Sequence, residues 1–273
     1  MNGSDARPWL LLAPLLAFLA AFFLVPLGQV VLMSVSEPEW GLGHYADIAS
    51  DGFHLRVLLD TFLTALLVAT CCLLLGFPLA YAMAAVPPGL AAAMMVVVTM
   101  SFWTSFLVRT YAWMVILGNR GPIAQLAAWL GLPAPELLFT RFSSTIAMTH
   151  ILLPYMVLSL YGVLKRIDLS LPRSAASLGA PPASVIRHVV LPLAAPGIAN
   201  GLTLVFVLCL GFYVTPILLG SPREQMVAGV IGQQVEEFLS FGEASALSVV
   251  LLASTLLVLG LYHRRFGLDR LWG

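Results

Sequence analysis

TFLTALLVATCCLLLGFPLAYAMAAVPPGLAAAMMVVVTMSFWTSFLV, residues 61–108, contains no Asp, Glu, Lys or Arg. A helix needs about 20 apolar residues to cross the hydrocarbon core of a bilayer, so this stretch is too long for one crossing and long enough for two. Val86-Pro87-Pro88-Gly89 divides it. Proline cannot continue a helix, and it pushes the preceding residue towards extended backbone.

Outward from this stretch, further charge-free runs cover Pro8 to Ser36, Phe142 to Leu164, His188 to Pro222 and Ala244 to His263. Together they predict six spans, near 10–33, 58–83, 91–114, 143–164, 190–218 and 244–263, in a single transmembrane domain over residues 1–273. The whole chain agrees with this reading. It is 60% apolar and only 10% charged, with a mean hydropathy of +0.97, whereas a soluble domain carries about 25% charged residues. In lipid every backbone polar group must be paired internally, which leaves helices or closed barrels. Barrel strands alternate apolar and polar residues, and these runs do not alternate. The expected class is an all-α membrane protein. The first run is much longer than the roughly 7–15-residue apolar core of a secretory signal, so an uncleaved anchor is expected.

Net charge is zero, but its distribution is asymmetric. Six spans place both termini, the turn at 84–90 and the segment 165–188 on one side. Eight basic residues (Arg7, Lys165, Arg166, Arg173, Arg187, Arg264, Arg265, Arg270) face three acidic ones there (Asp5, Asp168, Asp269), a net of +5 against −5 on the other side. An excess of Lys and Arg marks the cytoplasmic face, so both termini are expected inside. Cys71, Cys72 and Cys209 all fall in expected spans without metal-ligand spacing, which reads as apolar packing.

Segments 34–57, 115–142 and 219–243 are expected outside. Within 115–142, Gly118-Asn119-Arg120-Gly121-Pro122 is a turn cluster, and Ile123 to Leu130 reads as a short interfacial helix. No internal repeat of the kind that builds secondary transporters is visible. Six spans are also few for a self-contained path, so a second copy or a related partner chain is expected.

The cytoplasmic segment 165–188 carries the most information. Ser170 can cap a short helix and Pro172 suits its first turn. Ser174, Ala175, Ala176 and Ser177 then give a thin surface, and Gly179 stands where a helix ends on a left-handed residue. Pro182 can begin a second helix, and Pro192 marks entry to the fifth span. Two readings fit: a small-residue helix that seats in a groove of another protein, or an ordinary amphipathic turn.

This segment resembles the coupling loop of permease subunits from binding-protein-dependent ABC importers. The family pattern is Glu-Ala-Ala, three residues, Gly, about nine residues, then Ile or similar, any residue and Leu-Pro. Here it falls on Arg173-Ser174-Ala175, Gly179 followed by Ala180, His188 or Val189, and Leu191-Pro192. Arg173 takes the place of the Glu, and Pro181 stands where a capping Ser or Thr is common. Two further stretches, Phe102-Trp103-Thr104-Ser105-Phe106-Leu107-Val108-Arg109-Thr110-Tyr111-Ala112-Trp113 and Gly211-Phe212-Tyr213-Val214-Thr215-Pro216-Ile217-Leu218-Leu219-Gly220, resemble signatures of the spermidine/putrescine-type permease subfamily.

The resemblance implies the type I ABC importer permease fold, shared with methionine-importer-like permeases, in a bacterial inner membrane. It implies an external solute-binding protein, a second related permease and two cytoplasmic ATPase subunits, with Arg173, Ser174, Ala175, Gly179, Ala180 and Pro192 coupling this chain to the ATPase. The chain has no phosphate-loop motif, so ATP and its Mg are expected on the partner ATPase. No cofactor, enzymatic activity or nucleic-acid partner is expected of this chain; its other contact is membrane lipid.

Candidate path or gate residues are Trp103, Arg109, Tyr111, Trp113 and Tyr213. A charge inside a span faces a cavity or a partner, or else Arg109 snorkels to the interface. Trp103, Tyr111 and Trp113 fit a path lining or an interfacial aromatic belt. His150 reads as packing or as a gate. Asn200, between Gly197 and Gly201, fits close helix packing. The implied solute is a small cationic or nitrogen-containing molecule such as spermidine or putrescine, although the spans hold almost no carboxylate, Asp60 being the nearest. The competing class is a stand-alone channel or secondary transporter.

Overall fold

A computed structural model describes residues 6–133, 135–168, 170–221 and 224–266. Of the charges used above, Asp5, Asp269 and Arg270 lie outside the described residues. The described chain is helical. In order it runs α1 (Ala6–Leu19), a π turn (Ala20–Leu24), α2 (Val25–Ser36), α3 (Gly43–Ser50), α4 (Gly52–Ala85), α5 (Pro88–Trp103), α6 (Phe106–Leu117), α7 (Pro122–Trp129) and α8 (Arg141–Leu164). There follow α9 (Ser170–Ser177), α10 (Pro182–Val185), a second π turn (Ile186–Val190), α11 (Leu191–Leu210), α12 (Val214–Leu219), α13 (Val227–Glu236) and α14 (Phe241–Phe266).

Five helical stretches are long and apolar enough to cross a membrane: Leu12–Ser36, α4, α8, Pro182–Leu210 and Phe241–Tyr262. The sixth crossing is a broken pair, Pro88–Trp103 with Phe106–Trp129, bent by 95°. The six-span reading therefore holds, and the break at Val86-Pro87 falls where the prolines put it. The turn at 118–121 and the helix α7 also form as expected.

The third and fifth spans are corrections. The third is not one helix over 91–114. Thr104 and Ser105 are extended, at ψ 130° and 137°, and α6 restarts when Arg109 N–H donates to Ser105 O at 3.2 Å. Neither Pro nor Gly marks this place. Thr and Ser are weaker helix formers because their hydroxyls compete for backbone groups, but neither hydroxyl caps a helix end here, so adjacent Thr104-Ser105 does not by itself mark the break. The fifth helix ends at Leu210 rather than near 218. Gly211 follows it, and α12 begins three residues later with Pro216 in its first turn. A proline is tolerated there because those N–H groups have no helical partner.

Nor does Pro192 open the fifth span, because the helix already starts at Pro182 and runs on through the second π turn. Each π turn ends two residues before a proline, at Leu24 before Pro26 and at Val190 before Pro192. The missing proline N–H removes one helical hydrogen bond, and the wider turn accommodates the gap. The short helices α3 and α13 were not anticipated within 34–57 and 219–243.

The packing divides the chain into two units. One holds the residues up to Arg56 with Val230–Leu256; the other holds Val57–Gly229 with the chain from Leu257. In the first unit, His54 Nδ1 lies 2.9 Å from Asp51 Oδ2 and its Nε2 lies 3.4 Å from Glu243 Oε1, which also accepts from Gln234 Nε2 at 2.9 Å.

The second unit carries a core of Ala65, Val68, Cys72, Met148, Leu152, Met156, Leu160 and Val205 among others. Cys72 and Cys209 are free and buried, as apolar packing requires. Here α8 and α11 approach closely through glycine. A Cβ on Gly201 would stand 2.6 Å from Met156 Sδ, and one on Gly197 would stand 3.0 Å from Val163 Cβ. Ser159 Oγ donates to Gly197 O at 3.2 Å. The glycines therefore mediate the expected close packing. Asn200 does not, since it is turned outward and exposed. At about 100° per residue, Asn200 lies roughly 80° round the helix from the midline of the two glycines, which carries it past the edge of the α8 contact.

Candidate functional site

Two regions carry the sequence signals, and both lie in the second unit. The first is the loop with α9. Its opening N–H, on Ser170, donates to Asp168 Oδ1 at 2.9 Å. The cap is thus the Asp168 carboxylate and not the Ser170 hydroxyl, and those hydrogen bonds hold this exposed carboxyl below its ordinary range. At the other end Gly179 has φ +84°. Its N–H donates to Ala176 O at 3.0 Å, and Ala180 N–H donates to Ala175 O at 3.2 Å. This crossed pair is the Schellman ending, in which a left-handed glycine closes the last turn.

No described residue of α9 is buried. Arg173 and Ser174 are exposed, Ala175 and Ala180 half-buried, and Pro192 exposed in the first turn of α11. Leu171 is 48% exposed and Leu178 89% exposed. With Ser174 they occupy one side of the helix at i, i+3 and i+7. Sequence reasoning passed over both leucines, because it followed the small residues. Two bare leucines beside a small-residue patch form a surface suited to a groove in another protein.

The second region is the break between α5 and α6. It opens a recess of about 560 Å³ whose lining includes Phe102, Trp103, Phe106, Arg109, Tyr155 and Phe212. The Arg109 guanidinium, half-buried, spans the break, with Nη1 donating to Ser101 Oγ at 2.8 Å. Its Nε is buried without a partner among the described residues. Phe102 stacks edge-on against Tyr155 at 4.8 Å, and Trp103 is 92% exposed. A second recess of about 180 Å³ is lined by Phe106, Gly211, Phe212, Tyr213 and Val214. The two helix breaks, at 104–105 and 211–213, are thus brought together around Phe106 and Phe212.

Of the five predicted path residues, Trp103 and Arg109 share the first recess and Tyr213 lines the second, while Tyr111 lines neither. Trp113 is half-buried and its Nε1–H donates to His150 Nδ1 at 3.2 Å. That bond leaves the proton of the neutral imidazole on Nε2. The second half of the broken span is fixed by a hydroxyl pair, Thr110 with Thr215 at 3.1 Å, both fully buried. Phe102, Phe106, Tyr155 and Phe212 were not singled out from the sequence. Phe102, Phe106 and Phe212 sit inside the quoted signatures, but nothing in the sequence tells a lining aromatic from a packing one.

At the start of α8, Arg141 donates from Nη2 to Thr64 Oγ1 at 3.4 Å. Nearby, burial pushes the Glu224 carboxyl above its ordinary range, Arg141 opposes this, and Asp60 adds to it. Among the described residues no group of His, Cys, Asp and Glu is arranged to hold a metal ion.

No family model matches the chain. It is 30% identical to the spermidine/putrescine transport system permease protein PotB of Salmonella typhimurium (strain LT2), over 82% of this chain and 78% of that one. The corresponding protein of Escherichia coli (strain K12) is also 30% identical, over 78% of each chain. That of Haemophilus influenzae is 32% identical over 71% of this chain and 68% of the other. In backbone, the chain is similar to a chain of the crystal structure of a bacterial ABC transporter involved in the import of the acidic polysaccharide alginate. The TM-score is 0.74 at 21% identity, covering 94% of this chain and 96% of that one. A second alginate transporter structure, in complex with its pentasaccharide-bound periplasmic protein, gives 0.76 at 19% identity over 95% and 96%.

The fold is that of an ABC importer permease, a multi-pass inner-membrane transport subunit. Within that class, the chain belongs to the PotB-type permease family.

Proposed function

We propose that this chain forms half of the path by which an ABC importer takes up a polyamine such as spermidine or putrescine. The observation that carries this reading is the 30% identity to PotB permeases over 82% of the chain. The site chemistry supports it. A polyamine carries several ammonium groups, and the first recess is lined by Phe102, Trp103, Phe106, Tyr155 and Phe212, with the Arg109 guanidinium beside them tied to Ser101. Aromatic faces attract cations through their quadrupoles, most strongly where water is excluded. Trp103, Arg109 and Tyr213 then border the path, and Trp113 acts through His150.

In this reading a second, related permease completes the passage and an external binding protein delivers the solute. One of two ATPase subunits docks on α9 and the leucine that follows it, through Leu171, Arg173, Ser174, Ala175 and Leu178, and the ATPase pair hydrolyses ATP with Mg. Both termini and the loop at 165–188 face the cytoplasm.

Import into proteoliposomes holding the full complex tests the function. Spermidine accumulation should require both ATP and binding protein, and putrescine should compete. Uptake without ATP would make the chain a channel or secondary transporter, and ATP-driven uptake of some other nitrogenous solute alone would remove the polyamine. Orientation is read in intact cells from single cysteines on a background with Cys71, Cys72 and Cys209 replaced by Ala. Ser177 and Asp47 are both exposed in the free chain, so in cells that express the permease without its ATPase, reactivity reports the side and not burial. Asp47→Cys should react with an impermeant thiol reagent and Ser177→Cys should not; the reverse pattern inverts the topology.

A further inference from the structure

The outward face of α11 is narrow and nearly all apolar. Leu193, Leu204 and Val207 are 42%, 42% and 40% exposed, and Gly211 continues the same side. Their spacing places them on one stripe of a 3.6-residue helix. Asn200 stands in the middle of that stripe, exposed, and no hydrogen bond joins its carboxamide to any described residue.

Asn200 is well inside the continuous helix Pro182–Leu210, and its nearer terminus, at Leu210, is about 15 Å away. Its side chain is far too short to reach an interface from there, in contrast to Lys or Arg. An amide left unpaired in hydrocarbon is strongly unfavourable, and polar groups at such depth face a bundle interior or a water-filled cavity. Lipid is therefore excluded as the neighbour of this stripe.

Two environments remain, a helix of the second permease or an aqueous passage. Continuity favours the passage. The stripe runs out through Val207 to Gly211, which lines the second recess, and Leu208 on its edge lines the first beside Trp103 and Arg109. We infer that the Leu193–Asn200–Leu204–Val207 stripe lines the translocation passage, with Asn200 as its hydrogen-bonding contact at mid-membrane. Its carboxamide oxygen accepts from a passing ammonium, while Leu204 and Val207 narrow the passage between this contact and the aromatic recess. The inference rests on the polyamine reading for the solute and on geometry alone for the passage.

The test uses the full complex in proteoliposomes, with Asn200→Cys on the background lacking native thiols and a small, cationic, water-soluble methanethiosulfonate as the probe. The probe should modify the introduced thiol during turnover, and spermidine should slow the modification. Wild-type spermidine import alongside an unreactive thiol would overturn the inference and leave the proposed function standing. Cross-linking of that thiol to the second permease without aqueous modification would assign the stripe to a helix interface and overturn it equally. Modification of the thiol, with no spermidine import by the complex that retains Asn200, would uphold the passage and sink the polyamine reading. Asn200→Lys gives an independent arm. A fixed ammonium at the contact should lower spermidine import at least about tenfold at unchanged membrane abundance, since juxtaposed like charges cost several kcal/mol. Wild-type import by Asn200→Lys would overturn the inference.

Discussion

Gly179→Val should reduce solute import by an order of magnitude or more while leaving the protein in the membrane at normal abundance. Gly179 holds φ +84°, where an L side chain costs about 1–2 kcal/mol. A β-branched residue is a still worse occupant of that region. Nothing in the fold lies within 4 Å of a Cβ built there, so the penalty is purely one of backbone conformation and the spans are untouched. The chain escapes it by abandoning the crossed hydrogen bonds from Gly179 and Ala180 that close α9. At about 1.4 kcal/mol per tenfold change in an equilibrium, a strain of this size displaces most molecules from the docked geometry. Gly179→Asn is the discriminating control. Asn enters the left-handed region far more readily than other side chains, so it should retain most import, with Ala falling between Asn and Val. Import and solute-stimulated ATP hydrolysis by the assembled complex are the readouts. Equal import by the Val and Asn variants would show that the ending of α9 does not couple to the ATPase.

The same loop shows how much was legible in the sequence. Gly179, Pro172 and Pro182 each carry a backbone constraint that acts locally, and each falls where its chemistry put it. The spans were legible for a similar reason, because absence of charge over about 20 residues answers directly to bilayer thickness. Where a residue's effect depends on a distant neighbour, the sequence was silent. The bend at Thr104-Ser105 uses hydroxyl residues that sit equally well inside other helices here: Thr61, Thr70 and Thr99 each return a hydrogen bond to their own helix. Asn200 shares a frame with two packing glycines spaced four apart, yet the register of α11 against α8 leaves it outside that contact and exposed. The recess aromatics come from three segments more than forty residues apart in sequence, and only the packing assembles them.

Arg109→Ala should lower import by roughly ten- to a hundredfold, and Ser101→Ala should produce a comparable loss through the same contact. The guanidinium joins α6 back to α5 across the 95° bend through one hydrogen bond of 2.8 Å to Ser101 Oγ. Hydrogen bonds to charged groups contribute about 1.5–3 kcal/mol, which corresponds to that range of fold-change. Because Nε is buried and already without a partner among the described residues, removing Ser101 takes away the acceptor that holds Nη1. The double variant is decisive. If the strut between the two residues is the whole effect, Ser101→Ala with Arg109→Ala should be no worse than Arg109→Ala alone, since residues sharing one interaction are not additive. Additive losses would mean that Arg109 acts on something else, in the passage itself. Arg109→Lys separates these cases further. A lysine supplies a single donor but not a planar fork, and a single donor is what the contact with Ser101 requires. Import within a few-fold of wild type is therefore expected of the Lys variant, normalised to membrane abundance. A loss as deep as that of Arg109→Ala would assign the guanidinium plane a partner beyond Ser101, with the recess beside Trp103 and Tyr155 as the place to find it.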